Sequence, residues 1–306
     1  MDRPRPCGCK GCRTCLICEA EYKIDIKSPL YNKQSNSYVY CPFCNKAWPG
    51  WDVDEFKTHP NHKGEAIKFP GIYIDLNFLS DTEEKLLIND LDEIPWDLSQ
   101  SGRRKQNFGP KCNFKKRKLR LGNFIGFPSS TKFVQDKFNS VPILKGFKTI
   151  EQCSLEYNPE RGASIDPHVD DCWVWGERII TVNLLADSVL TMTYNSKPRK
   201  YNLDCVKTYP SVLTDDGELN TVSHSYTVTP KYQEDKGPIV RIPMPRKSLL
   251  VMYGAARYDW EHQVLREDIL QRRVCLAYRE FTPPYLERGD KYEEGRDILL
   301  QAQNFF

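Results

Sequence analysis

The stretch IITVNLLADSVLTMTY, residues 179–194, shows most directly how this chain folds. It contains two short runs rich in β-branched and other apolar residues, separated by only two residues. Three further runs follow at 239–242, 249–252 and 274–281, with turns rather than long helical patterns around them. Short strands joined by turns are typical of a double-sheet jelly roll. The sequence therefore predicts a mainly β fold with flanking helices (α+β), with a double-stranded β-helix as its core.

The flanking segments predict how the rest of the chain is arranged. Ser80 and Glu83 form a capping-box pattern ahead of a helical leucine stripe, which indicates a packing helix. The chain divides into a Cys-rich N-terminal region and linker (1–67), a jelly-roll domain (68–285) with a basic lid (100–121) and a polar insertion (195–238), and a C-terminal tail (286–306) with one predicted helix (292–302).

Composition narrows the class of protein. The chain has 306 residues and a net charge of +3, which does not by itself indicate a nucleic-acid partner. Its first residues lack an apolar signal-peptide region, and no run of eighteen apolar residues occurs. We expect a soluble intracellular monomer that does not bind membranes.

Two separated stretches carry the residues of a metal site. In DPHVDDCW (166–173), His168 and Asp170 project to the same side if the chain is extended. DWEHQV (259–264) adds His262, in a segment that reads as strand, turn and return strand. Two histidines and one carboxylate have the composition of a facial triad for Fe(II), which leaves positions open for an oxo acid and O2. An isolated H-x-D is a weak motif, and it is more often a pair without metal.

A pair of arginines strengthens the metal hypothesis. Arg273 and Arg279 share one face of the predicted strand RRVCLAYREF (272–281). Each guanidinium can bind a carboxylate through two hydrogen bonds, so an inward-facing pair suits a dianion such as 2-oxoglutarate.

These motifs together resemble the AlkB family of iron and 2-oxoglutarate dioxygenases, and most closely the branch of the fourth animal homologue. The resemblance rests on the blocks CGCKGCRTCLICE (7–19), WDLSQSGRRKQNFGPKCNF (96–114) and YNPERGASIDPHVDDCWVWGER (157–178), completed by LVMYGAARYDWEH and RRVCLAYRE. Cys275 and Leu155 depart from the asparagines found in family members. The resemblance implies that His168, Asp170 and His262 bind iron and that Arg273, Arg279 and Tyr157 hold 2-oxoglutarate.

The resemblance also implies an activity. Family members oxidise N-methyl groups with O2 and 2-oxoglutarate, releasing formaldehyde, succinate and CO2. The branch implies monomethyl-lysine in actin as substrate, with effects on actomyosin assembly and cytokinesis, and a location in cytoplasm and nucleus. The alternatives are demethylation of N6-methyladenine in DNA and a non-catalytic Cys-rich interaction scaffold.

Seven of the twelve cysteines precede residue 45, which in an intracellular chain favours metal binding over disulfides. Cys15 and Cys18 with Cys41 and Cys44 have a spacing near that of four-cysteine Zn(II) sites. Cys7 and Cys9 could instead complete a site with Cys15 and Cys18. The remaining histidines are expected to be exposed, His59 and His62 in the linker and His224 in the insertion, although the H-x-x-H spacing of His59 and His62 could complete a Cys/His site.

Nine Lys or Arg and no acidic residue occupy 103–120, interleaved with Phe108 and Phe114. Such a stretch can bind a phosphate backbone or an acidic protein surface, or it can be a solvated charged face. By resemblance this segment is the lid over the active site. Four of its residues would then face the substrate: Arg103, Arg104, Lys105 and Phe108.

Overall fold

The structure is a computed structural model, and it describes residues 5–24, 36–195, 201–221, 225–228, 231–232 and 237–306. Two seven-stranded sheets form its centre, with strands numbered in chain order. The first sheet has the spatial order β10 (Ile165–His168), β15 (Trp260–Val264), β12 (Ser188–Tyr194), β13 (Ile239–Met244), β1 (Ser37–Cys41), β2 (Lys46–Pro49) and β3 (Ile67–Lys68). The second has the order β4 (Ile72–Asp75), β14 (Leu249–Met252), β11 (Trp175–Leu184), β16 (Arg273–Phe281), β9 (Glu151–Tyr157), β6 (Arg104–Phe108) and β5 (Asp97–Leu98).

The two sheets pack face to face, and helices cover the outside of the second sheet. Met192 and Ile242 of the first sheet share one buried cluster with Ile179 and Cys275 of the second. On the second sheet the next residue along each strand points the other way, so Ile180 lies in an outer cluster. That outer cluster is closed by α2 (Asp81–Glu93) and α3 (Lys132–Lys137). This is the predicted jelly-roll arrangement.

The predicted elements agree closely with the observed ones. The runs at 188–194 and 249–252 are strands with those bounds, and the run at 179–185 belongs to a strand that begins earlier, at Trp175. The capping box of α2 is formed, because Ser80 Oγ accepts from the Glu83 amide at 3.2 Å and Glu83 Oε2 accepts from the Ser80 amide at 2.7 Å. The tail contains α5 (Tyr292–Gln301), and Ile298 of this helix is fully buried.

The N-terminal region differs from the predicted linker. β1 pairs in parallel with β13, and β2 and β3 continue the same sheet. Residues 37–68 are therefore part of the sheet that carries the candidate site, and the boundary predicted after residue 67 falls inside that sheet. The strands there are two to five residues long, too short to stand out beside the cysteine pattern.

The insertion contributes no strand to either sheet within its described residues, where it has a 3-10 helix at Leu203–Thr208 and isolated bridges. His224 lies outside the described residues. Among the helices that the structure describes, none has the length and apolar character needed to cross a membrane.

Candidate active site

Two neighbouring strands of the first sheet bring the predicted triad together. His168 at the end of β10 pairs directly with His262 of β15, and their ring centroids are 4.1 Å apart. Asp170 follows two residues later, with its Oδ1 3.7 Å from His168 Nε2. One ligand atom from each of the three side chains lies within 4.8 Å of the others. Two histidines and a carboxylate thus converge on one point.

The surroundings of the triad favour the metal-binding form of each side chain. Burial lowers the pKa of His168, and burial together with the neighbouring His168 lowers the pKa of His262. Burial acts to raise the pKa of Asp170, but Arg279 and the two histidines outweigh it and hold that pKa below its ordinary value. Neutral imidazoles and an ionised carboxylate are the forms that bind metal.

Hydrogen bonding leaves nitrogen atoms of the triad free. His168 Nδ1 lies 2.9 Å from the carbonyl oxygen of Asp166, an arrangement that orients the ring and leaves Nε2 for a ligand. His262 Nδ1 is buried and has no hydrogen-bond partner among the described residues. A buried polar atom without a partner in a native structure calls for an explanation such as a bound ion.

Arg273 of β16 lies in the interior between the sheets with an unfilled hydrogen-bonding position. Its side chain is 1% exposed, its Nε donates to Asn183 Oδ1 at 2.7 Å, and its guanidinium lies 4.7 Å from the centroid of the Tyr157 ring. Nη1 is buried without a partner in the described part of the chain. A buried guanidinium is costly unless an anion pairs with it. Arg273 and Tyr157 pair across β16 and β9, and the free Nη1 of Arg273 is available to an anion.

Arg279 connects the second sheet to the triad. Its Nε donates to Asp170 Oδ2 at 3.1 Å, and its Nη1 donates to Glu151 Oε2 at 2.6 Å. Both predicted arginines thus face inward as the period-two pattern required. Arg279 already has two carboxylate partners, so its role in holding 2-oxoglutarate stays a prediction.

The four predicted substrate-facing residues divide between two faces. Lys105 of β6 pairs with Leu155, whose side chain packs against the inner core, whereas Arg104 pairs with Glu156 and forms an ion pair with it. The ring of Phe108 lies 6.2 Å from that of Phe306 at the C-terminus. Arg104 therefore does not face the site, because side chains alternate along a strand, whereas Phe108 packs against the inner cluster. Arg103 is buried, with its guanidinium 5.9 Å from the Tyr157 ring centroid.

The basic lid continues as a hairpin that reaches the site. It consists of β7 (Lys111–Asn113) and β8 (Lys118–Arg120), and between them Phe114 is 47% exposed with its ring 6.4 Å from that of Trp175. Arg117 donates to the side chain of Asn202 in the insertion, and Asn202 donates to Asp171 at 3.3 Å. The hairpin and the insertion therefore meet beside the triad.

Two carboxylates near the triad hold the insertion. Asp171 accepts the bond from Asn202, and Glu261, next to His262, accepts a hydrogen bond from the Tyr201 hydroxyl. Both carboxylates are therefore engaged in contacts that hold the insertion beside the triad.

The cysteines form two groups rather than the first set that we predicted. Cys7, Cys9, Cys15 and Cys18 are buried together, with one ligand atom from each within 4.8 Å of the others. Cys41 and Cys44 lie in a different group, with His59 and His62. The prediction that joined Cys15 and Cys18 to Cys41 and Cys44 is therefore wrong, and the alternative set with Cys7 and Cys9 is the one that the fold brings together. His59 is exposed, as predicted, and His62 is partly buried. The sequence pattern shows ligand pairs, but the fold decides which pairs meet.

Sequence reasoning missed three residues of the site. Asn183 orients Arg273, and Glu151 pairs with Arg279. Arg257 is fully buried, with Nη2 3.3 Å from the Trp175 carbonyl oxygen. The signal available for Asn183 was a single polar residue on the inward face of an apolar strand.

No model of a known protein family matches this chain. The chain is 39% identical over 301 residues to the human protein named "Alpha-ketoglutarate-dependent dioxygenase alkB homolog 4", covering 98% of this chain and 94% of that protein. The mouse protein of the same name is 39% identical over 299 residues, with the same coverage. A Caenorhabditis elegans protein named "DNA N6-methyl adenine demethylase" is 29% identical over 313 residues, covering 97% of this chain and 94% of that protein.

Among solved structures, one titled "The structure of OsALKBH1" aligns with 70% of this chain and all of that chain. Its TM-score is 0.40 and its identity is 10%, so family membership rests on the sequence relatives.

Proposed function

The chain belongs to the alkB homolog 4 family of 2-oxoglutarate-dependent dioxygenases, and from this we propose that it oxidatively removes N-methyl groups at the His168–Asp170–His262 site. The observations that carry the proposal are the convergence of this triad and, on the facing sheet, the buried Arg273, whose Nη1 lacks a partner among the described residues. A site that binds iron alone has no use for the buried guanidinium of Arg273. A site that binds iron together with a dianionic oxo acid does, because the guanidinium can pair with a carboxylate.

The residues present fit the two groups that the family uses. Two imidazole nitrogens and a carboxylate oxygen suit Fe(II) and leave coordination positions open. When bound, iron with O2 and 2-oxoglutarate supplies the oxidation, which converts the cosubstrate to succinate and CO2 and releases the methyl carbon as formaldehyde.

The chain's own residues orient the reactants. Arg273 would bind the distal carboxylate of 2-oxoglutarate, with Tyr157 beneath its guanidinium and Asn183 fixing its Nε. Arg279 keeps Asp170 ionised and in place through its bond to that carboxylate. The hairpin 111–120 and the insertion close the side of the site at Asp171. Orientation and exclusion of water are the protein's contributions in cofactor-dependent oxidations.

We propose monomethyl-lysine in actin as the substrate, as the resemblance to the fourth animal homologue implies. An acidic protein surface would suit the hairpin, on which six Lys or Arg are exposed beside the site: Lys111, Lys115, Lys116, Arg117, Lys118 and Arg120. Effects on actomyosin assembly, and a location in cytoplasm and nucleus, belong to the same proposal.

N6-methyladenine in DNA is the second candidate, and two observations favour it. The C. elegans relative carries that activity in its name. The same exposed cations can contact phosphates, and the partly exposed Phe114 beside Trp175 offers a ring on which a base could stack.

We also propose that the four buried cysteines, Cys7, Cys9, Cys15 and Cys18, bind a structural Zn(II). Burial raises the pKa of Cys15 to about 12, so its thiol stays protonated until a cation is present. Arg161 donates to the Cys7 carbonyl oxygen at 3.5 Å, and Glu19 forms an ion pair with Arg266 at 2.7 Å. Arg161 also donates to the Gly102 carbonyl oxygen at 2.9 Å, so it links the cysteine group to the lid segment.

One experiment tests the activity and the substrate together. Iron-loaded protein receives 2-oxoglutarate with monomethyl-lysine actin and N6-methyladenine DNA in equal amounts, each methyl group carrying a different isotope. We expect labelled formaldehyde from actin, and none with His168→Ala protein. Label from DNA alone would replace the actin assignment by the DNA assignment. Turnover of neither substrate, with iron bound, would favour the scaffold alternative.

A further inference from the structure

We propose that Cys41, Cys44, His59 and His62 form a second Zn(II) site, separate from both the iron triad and the four-cysteine group. One ligand atom from each of these side chains lies within 4.8 Å of the others. Cys41 ends β1, Cys44 lies in the turn before β2, and the histidines follow a 3-10 helix, Val53–Thr58. This inference does not depend on the proposed demethylation.

The turn between β1 and β2 holds the sulfur atoms of Cys41 and Cys44 in place. The Asn45 amide donates to the Cys41 carbonyl oxygen at 2.9 Å, with Asn45 in the left-handed region at φ 55°. Trp48 Nε1 donates to Cys44 Sγ at 3.4 Å, and the buried Cys41 sulfur lies 4.0 Å from the Phe56 carbonyl oxygen. N–H groups directed at sulfur stabilise thiolate, the form that binds metal.

The histidines are held with a nitrogen available. The His62 ring stacks on Trp48 with centroids 4.7 Å apart, and its Nδ1 lies 3.3 Å from Thr58 Oγ1. Its Nε2 is buried and has no partner among the residues that the structure describes. A hydroxyl at one ring nitrogen and an unpaired second nitrogen is the arrangement expected of a metal-binding imidazole. His59 is exposed, and its ring lies 5.4 Å from those of His62 and Phe43.

The donor set identifies the cation. Two thiolates and two imidazoles are a common tetrahedral set for structural Zn(II), and softer or harder ions prefer other ligands. Cys41-x2-Cys44 and His59-x2-His62 are separated by fourteen residues, within the interval found in Cys2His2 zinc modules, although the histidines are closer together than usual.

The position of the site indicates a structural role. The apolar cluster beneath it is small, with Val39, Cys41 and Phe56 as its buried members, and small cores commonly need a metal or disulfide. The N-cap Asp52 and the first-turn residues Asp54 and Glu55 place negative charge at the start of the 3-10 helix, which disfavours contact with phosphate there. Zinc here would tie the turn between β1 and β2 to the segment that carries His59 and His62, beside the sheet that holds His168 and His262.

The test is a count of zinc per full-length chain after removal of loosely bound metal. We expect two Zn(II), one for each cluster. The double variants Cys41→Ser/Cys44→Ser and His59→Asn/His62→Asn should each lose one. Cys12→Ser is the matched control, since Cys12 is exposed and belongs to neither cluster, and it should retain two. The same count in His168→Ala protein corrects for zinc that enters the triad.

A variant that replaces one metal ligand by another distinguishes loss of metal binding from misfolding. His59→Cys should retain two metals and, with Co(II) in place of zinc, should intensify the sulfur-to-cobalt absorption because a third thiolate joins the site. Zinc retained at two per chain in both double variants would overturn the proposal. So would a His59→Cys spectrum identical to that of the unchanged protein.

Discussion

At Arg273 a positive charge is fully buried, and Asn183 satisfies one of its nitrogens. Arg272, the preceding residue, points to the opposite side of the strand and pairs with Asp92 at 2.6 Å and Glu156 at 2.8 Å. Of these two neighbouring arginines, Arg272 forms ion pairs with carboxylates, and Arg273 is the one proposed to bind the cosubstrate.

Arg273→Lys should raise the KM for 2-oxoglutarate at least about tenfold, which corresponds to about 1.4 kcal/mol of binding. Lysine keeps the charge but loses the planar fork that binds a carboxylate through two hydrogen bonds. Arg272→Lys is the matched control and should leave that KM unchanged. The measurement is succinate formation against 2-oxoglutarate concentration, and equal KM values for the two variants would count against the proposed binding of a carboxylate by Arg273.

The hairpin 111–120 is the element most directly tied to substrate choice. Replacing Lys115, Lys116 and Arg117 by glutamate should lower kcat/KM for the methylated substrate at least tenfold and weaken its dependence on salt, because these cations act through long-range attraction. The KM for 2-oxoglutarate should stay the same.

A control for the hairpin variant reverses three exposed lysines elsewhere, Lys85, Lys145 and Lys148. Initial rates at several ionic strengths compare the two proteins. Equal losses in both would mean that net charge, rather than the hairpin, controls substrate association.

Local rules predicted the elements well and the pairings less well. Alternation along a strand placed Arg273 and Arg279 on one face, and the same rule, applied to β6, separates Lys105 from Arg104. The resemblance alone did not make that distinction. The grouping of Cys41 with His59, rather than with Cys15, depends on how distant segments pack, and sequence spacing does not determine it.

At the scale of the whole molecule, the C-terminal segment closes the core. Ile298 of α5 is fully buried in the cluster between the sheets. The Phe127 amide donates to the Asn304 carbonyl oxygen, and the Phe306 amide donates to the Phe127 carbonyl oxygen. A tail to which the sequence assigned no role thus completes the packing around Phe127.

Ile298→Ala should lower the free energy of unfolding by about 2–4 kcal/mol, because it leaves a cavity where packing is dense. Leu300→Ala, on the same helix but 56% exposed, should change it by less than about 0.5 kcal/mol. Urea unfolding followed by circular dichroism measures both. Similar losses in the two variants would contradict the packing of α5 described above.

The central claim is that iron and 2-oxoglutarate meet at His168, Asp170 and His262. The most direct measurement is anaerobic titration of the protein with Fe(II) and 2-oxoglutarate, following the visible charge-transfer absorption of an oxo acid chelated to iron. The matched control for Asp170→Asn is Asp171→Asn, because Asp171 accepts a hydrogen bond from Asn202 and is not one of the three proposed iron ligands. We predict the absorption in the unchanged protein and in Asp171→Asn, and its loss in Asp170→Asn. Its absence from the unchanged protein, or its full retention in Asp170→Asn, would contradict the assignment.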